Sequence, residues 1–165
     1  MDRIKKILAP TDLSDLSQTG VRYALELAKA VGAEVTVYHV VCRDEFMRYE
    51  LLHVRPLLLD NLLQRYRLEL SGFLKQRFSA LLAPIKLRQE VELGIPEDNI
   101  VTKAKEEAMN LIVISTHGRT GLSHMFMGSV TEHVIRHAPC PVLSIRSETA
   151  EKQHLEAAAS TETSP

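Results

Sequence analysis

Cysteine is nearly absent: Cys42 and Cys140 are the only two in 165 residues. Two isolated thiols are too few for a disulfide framework or a structural zinc site. Charge of one sign is lacking as well. The 20 Lys and Arg against 21 Asp and Glu leave a formal net charge of -1, so no electrostatic footprint for nucleic acid or an anionic membrane is present. No apolar run is long enough to cross a bilayer, and the opening Met1-Asp2-Arg3-Ile4-Lys5-Lys6 is too poor in apolar residues for a secretory signal. These absences predict a cytoplasmic protein with no nucleic-acid or membrane partner. The Gly-Lys-Ser/Thr of a P-loop and the Gly-x-Ser-x-Gly of a nucleophile elbow occur nowhere, and no internal repeat is found.

What is there reads as one soluble domain, with 45% apolar and 25% charged residues. Ile4–Ala9, closed by Pro10, is a buried first strand. A helix follows, with Ser14 or Asp15 as cap, the stripe Val21, Ala24, Leu25, Ala28 and Val31, and Gly32 as its C-terminal stop. Glu34–Val41 is a β-branched second strand, and residues 43–56 form a loop or insertion without a clear period. Between about Leu57 and Leu82 the positions Leu59, Leu62, Leu63, Tyr66, Leu70, Phe73 and Leu74 recur at helical spacing, up to Pro84. Lys86–Leu93 alternates, with Lys86, Arg88, Glu90 and Glu92 on one side, which predicts an edge strand.

Gly94-Ile95-Pro96-Glu97 opens a third helix that turns Ile100, Ala104 and Ala108 inward. Leu111–Ile114 is apolar on both faces and reads as a central strand. Ser129–Ala138 is a fourth helix with Val130, Val134 and Ile135 inside, and Val142–Ile145 a fifth strand. The domain therefore spans residues 1–146, and 147–165 reads as a disordered tail. Strands alternating with helices predict an α/β fold: an open five-stranded parallel sheet covered by helices on both faces, in the order 3-2-1-4-5. Strand direction of progress reverses between strands 1 and 4, and ligands in such sheets bind outside the carboxyl ends at that reversal. The loops there are Pro10-Thr11-Asp12 and Thr116–Gly128.

The second loop carries the informative motif: Ser115-Thr116-His117-Gly118, nine further residues, then Gly128-Ser129 at the start of a helix. Glycines at 118, 121 and 128 can take positive φ and admit a ligand close to the main chain. The unpaired amides and dipole at the helix start favour an anion, with the Ser129 and Thr131 hydroxyls as further donors. Arg119 is the one full cation in the loop. Asp12 reads either as an acceptor for an adenine amino group or ribose hydroxyl, or as a turn aspartate. The pattern suits holding a nucleotide more than splitting it, and no general base for water stands out.

Ile7-Leu8-Ala9-Pro10-Thr11-Asp12-Leu13-Ser14, together with Ser115 to Leu122, Gly128 to Glu132 and His137 to Val142, resembles the universal stress proteins over residues 3 to about 146. The resemblance implies a Rossmann-like sheet of the adenine-nucleotide α-hydrolase type and a homodimer through the last strand. Its nucleotide-binding branch has Gly, two residues, Gly, nine residues, then Gly and Ser or Thr. This chain keeps Gly118 and Gly128-Ser129 but has Ser115 at the first Gly, which is expected to weaken binding without abolishing it. Carried over, Pro10, Thr11 and Asp12 meet ribose and adenine, and the main chain of Val40 meets the base. Ser115, Thr116, His117 and Gly118 with the adjoining Arg119, and Gly128, Ser129, Val130 and Thr131, hold ribose and phosphates. The implied ligand is ATP or another adenine nucleotide, accompanied by Mg²⁺. The alternatives are a dimeric interaction module that binds no nucleotide, and an α,β-cleaving enzyme, which the absence of a Gly-rich cradle after strand 1 disfavours.

Other constellations carry less. His133 and His137 are four apart on a helix but lack a third ligand, and read as polar-face histidines. Cys140, between two prolines, reads as a small packed residue. Phe46, Met47 and Tyr49 place apolar groups in the insertion, where they are expected to cover the crevice as a flap.

Overall fold

The structure, a computed structural model, describes residues 4–43, 47, 58–83, 85–116 and 127–146. Its elements are β1 (Lys6–Pro10), α1 (Gln18–Val31), β2 (Glu34–Cys42), α2 (Leu58–Leu82), β3 (Lys86–Gly94), α3 (Pro96–Glu106), β4 (Leu111–Ser115), α4 (Ser129–His137) and β5 (Val142–Ile145). All strand pairings are parallel, and the sheet runs β3-β2-β1-β4-β5, as expected from the pattern. The insertion, apart from Arg43 and Met47, and the tail lie outside the described residues.

Strand periodicity divides the core in two. Ile7, Ala9, Val35, Val37, Leu111 and Val113 face α1 and α2, while Leu8, Tyr38, Val40, Ile112 and Ile114 face α3 and α4. The long helix buries Leu62, Leu70, Phe73, Leu74 and Phe78 against the first of these faces, with a break in helical geometry at Phe78 (φ -135°, ψ 15°). Gly32 ends α1 at φ 70°, its amide donating to the Ala28 carbonyl at 2.8 Å.

Two inward assignments and one cap assignment change. Ala108 lies beyond the end of α3 at φ 50° and is exposed, so the helical period no longer applies to it; Met109 is the buried residue. Ile135 is 42% exposed because α4 turns Thr131 and Val134 to the core, with Val130 partly covered. The N-cap of α1 is Ser17 rather than Ser14 or Asp15. The Asp15 carboxylate instead accepts from Gln18 at 2.7 Å and pairs with Arg77 at 2.8 Å.

Ser17 makes no side-chain cap of its own. The third amide of the helix, Gly20, donates instead to Ser115 Oγ on β4 at 2.9 Å, and that hydroxyl donates in turn to the Ser17 carbonyl at 3.3 Å. A distant strand thus caps α1. The contact is tight: a Cβ on Gly20 would stand 2.8 Å from both Ser115 N and Ser115 Oγ.

The charged side of β3 is at the sheet edge, as its alternation predicts, yet α3 covers it. Lys103 Nζ lies 2.7 Å from Glu90, 2.6 Å from Glu92 and 3.3 Å from Glu107. Arg88 pairs with Glu90, with Glu107 at 2.6 Å and with Glu34 at 3.7 Å. Tyr38 Oη donates to Glu92 at 2.6 Å. Burial alone pushes the Glu92 carboxyl up, but hydrogen bonds from Lys103 and Tyr38 outweigh it and hold it below the ordinary carboxylate range. The Arg88 hydrogen bond does the same for Glu107. Burial alone pushes Lys103 down, but bonding to Glu90 and Glu92 overrides it and raises its pKa; burial and Glu92 raise that of Tyr38.

Two outcomes follow from these contacts. Gly20→Ala lowers the urea midpoint by the equivalent of about 1–3 kcal/mol. Ser115→Gly in the same chain does not restore it, because the backbone nitrogen remains in the way; full restoration contradicts the close-contact account. For the β3–α3 network, carboxylates with depressed pKa values contribute stability that is present above the ordinary value of 4.5 and lost as pH falls through their folded values. Lys103 and Tyr38, raised above 10.5 and 10.0, contribute stability that is lost as pH rises beyond those values. Denaturant unfolding from acid to alkali shows a plateau between about pH 5 and 9 with a decline on either side, and Lys103→Met alters both flanks. A chain that becomes more stable as pH falls from 5 to 3 contradicts this assignment.

Candidate functional site

At the carboxyl ends of β1 and β4, where the chain reverses its progress across the sheet, lies a crevice of about 220 Å³. Ten of the residues singled out from the sequence are described, and nine line it: Pro10, Thr11, Asp12, Val40, Ser115, Gly128, Ser129, Val130 and Thr131. The tenth, Thr116, is buried and staples the segment's ends, its amide donating to the Ile145 carbonyl at 2.9 Å and its carbonyl accepting from Gly128 at 2.7 Å. His117, Gly118 and Arg119, with Gly121, lie outside the described residues.

The first loop is held by hydroxyls. Thr11 Oγ1 accepts from the Leu13 amide at 3.1 Å and pairs with Ser17 Oγ at 2.8 Å. Asp12 Oδ1 accepts from the Ser14 amide at 3.0 Å and the Ser14 hydroxyl at 2.5 Å, the turn-aspartate geometry. Between them Leu13 sits at φ 64°, a left-handed conformation that L residues adopt only where surrounding contacts impose it. Behind the loop, His39 Nδ1 donates to the Thr11 carbonyl at 2.8 Å.

The second loop differs in detail from the sequence reading. Gly128 is at φ -69° and ψ 149°, so positive φ is not what requires glycine there. The approach there is nonetheless close: a Cβ would lie 3.3 Å from the Thr116 carbonyl oxygen. The Gly128 amide is turned to that carbonyl rather than to the crevice, and the Thr131 hydroxyl donates to the Ser115 carbonyl at 2.8 Å. The first helical bond of α4 runs from Glu132 to the Gly128 carbonyl at 3.0 Å. The amides of Ser129, Val130 and Thr131 therefore precede the ladder, at the positive end of the helix dipole. No basic side chain is among the described residues lining the crevice. Ser115 faces α1, and its hydroxyl is engaged there rather than in the crevice.

Ser17, Tyr38, Pro96, Ile100 and Ile114 also line the crevice and were not identified from the sequence. Strand alternation was the available signal for Tyr38, which shares a face with Val40. Among the described residues no group of three His, Cys, Asp or Glu can hold a metal. His133 instead lies 3.4 Å from Asp98, and His137 Nδ1 bonds the His133 carbonyl at 2.9 Å. Cys140 is half-buried, and burial pushes its thiol up. No helix among the described residues is long and apolar enough to cross a membrane.

Comparison with known proteins places this geometry in a family. Residues 3–146 match the universal stress protein family. Universal stress protein MJ0531 of Methanocaldococcus jannaschii is 34% identical over 147 residues, covering 89% of this chain and 85% of that protein. The structure of universal stress protein UspA from Lactobacillus plantarum superposes with a TM-score of 0.72 at 30% identity, over 88% of this chain and 100% of the other. A universal stress protein solved in complex with cAMP has a TM-score of 0.62 at 22% identity, over 88% and 98%. The chain belongs to the universal stress protein family.

Proposed function

We propose that this chain binds an adenine nucleotide, ATP in the first instance, in the crevice between β1 and β4, and acts as a regulatory homodimer with slow or absent hydrolysis. One observation carries the reading: residues whose main-chain groups lie outside the helix and sheet pairing line one cavity on two sides. On one side are the α4 amides of Ser129 to Thr131. On the other is the inner edge of β2. Pairing with β1 stops at Pro10 and Tyr38, with the Thr11 amide bonding the Tyr38 carbonyl at 2.9 Å, while β2 continues to Cys42. In a parallel ladder, alternate residues present both peptide groups to the same side. The Val40 N–H and carbonyl thus point past the end of β1, a donor and an acceptor suited to the edge of adenine. Pro10, Val40, Pro96, Ile100 and Ile114 supply apolar walls. A protein of this fold is known with cAMP bound, so the fold admits an adenine nucleotide.

Phosphates would lie at α4, with His117, Gly118 and Arg119 as further contacts from outside the described residues. Mg²⁺ enters with them, held chiefly by phosphate oxygens and water. Asp12, at the crevice wall, is proposed to meet ribose or base. A cytoplasmic location agrees with the balanced charge. The interaction-module reading is favoured by one feature, the Gly128 amide turned to protein rather than ligand.

Calorimetric titration of the purified chain with MgATP separates the two. Saturable binding below about 1 mM is expected, weakened at least about tenfold in Gly128→Glu and Asp12→Ala. No heat at several millimolar, with a folded chain by circular dichroism, overturns the nucleotide reading. For the dimer, β5 lies at the sheet edge with Leu143 39% exposed. Leu143→Lys is expected to shift sedimentation from dimer to monomer; a wild-type monomer at 100 μM or so refutes that arrangement.

A further inference from the structure

We infer that Tyr38 forms the inner wall of the base slot, and that Glu92 and Lys103, outside the crevice, are positioning residues that hold its ring there. The inference rests on the adenine-nucleotide reading and extends it to residues two layers from the ligand.

Tyr38 is the one aromatic side chain among the described residues that line the crevice. It stands two residues before Val40 on the same face of β2, packed with Ile100, Ala104 and Ile114. Val40 presents main-chain groups at the mouth, and Tyr38 lies deeper, toward the core. Its hydroxyl donates to Glu92 Oε2 at 2.6 Å, away from the cavity. Glu92 is in turn bound by Lys103 Nζ at 2.6 Å, and the same ammonium lies 5.3 Å from the Tyr38 ring centroid. Asn99, on the same helix as Lys103, is fixed by its side-chain Oδ1, which accepts from the Ile95 amide at 3.0 Å. A phenol pointing into the slot would demand a hydrogen-bond partner from the ligand. With that demand met by Glu92, the slot presents ring carbon alone, a surface for a flat base and not for sugar or phosphate. The ring is fixed at its far end by a charge-assisted bond whose acceptor is itself ion-paired. Lys103 is only 12% exposed and keeps Glu90 and Glu107 when Glu92 is altered, so the β3–α3 contact survives that change.

The test uses the full chain and two ligands, ATP by calorimetry and inorganic tripolyphosphate by displacement of a fluorescent ATP analogue. Glu92→Gln and Lys103→Met are expected to weaken ATP about five- to tenfold while tripolyphosphate changes less than about twofold. Lys103→Arg, which keeps the charge, returns ATP to within about twofold of wild type. Unchanged ATP affinity in Glu92→Gln overturns the inference. Equal losses for both ligands overturn it as well, since they show a general loosening of the site. A wild-type chain that binds neither ligand refutes the nucleotide reading itself. Binding of tripolyphosphate without any preference for ATP leaves an anion site standing and removes the base slot.

Discussion

Helix α1 approaches the end of β4 so closely that only a residue without a Cβ fits at Gly20, and Ser115 turns that contact into a bond. Ser115 satisfies an amide at the start of α1 and reaches the Ser17 carbonyl, while Ser17 Oγ pairs with Thr11. One hydroxyl relay therefore joins the end of β4, the start of α1 and the loop after β1. Those are the structures that surround the crevice. Thr131 reaches the Ser115 carbonyl from the other side and ties in α4. The position at which the family's nucleotide-binding pattern has glycine is here a structural hydroxyl, directed to the face of the sheet opposite α4.

The two sides of the crevice are held by different physics. Toward β5 and α4, short backbone bonds join Thr116 at the end of β4 to Ile145 of β5 and to Gly128 at the start of α4. Toward β3, a cluster of two cations and several carboxylates fastens α3 to the sheet edge. Such pairs contribute modestly to stability where water reaches them, and more to geometry. Their geometric consequence is that Tyr38, which touches both the cluster and the crevice, has little freedom. The edge strand can thereby influence a site it does not line.

Much of this was legible in the residues. Runs of apolar β-branched side chains, helical stripes and the stops at Gly32 and Pro96 locate the nine elements found among the described residues, because local periodicity follows directly from how a strand or helix presents its side chains. Nine of the ten described candidate residues do line one cavity. The failures are those of position within an element. Ala108 continues the spacing of its helix past the point where the helix has ended, and Ile135 competes with Val134 for a face that only packing assigns. Ser14 and Asp15 are good capping types, yet α1 takes its cap from β4.

Composition and pattern alone determined the fold class, the strand order and the place of the crevice, because alternating buried strands and amphipathic helices leave few other ways to cover both faces of a sheet. Tertiary structure decided which donors face the cavity. The Gly128 amide and the Thr131 hydroxyl look like ligand groups in sequence and bond protein carbonyls in space. Tyr38 looks like core in sequence and stands at the wall of the site. Hydrogen bonds to other elements, from Gly128 to Thr116, Thr131 to Ser115 and Tyr38 to Glu92, set these orientations, and no local spacing encodes them.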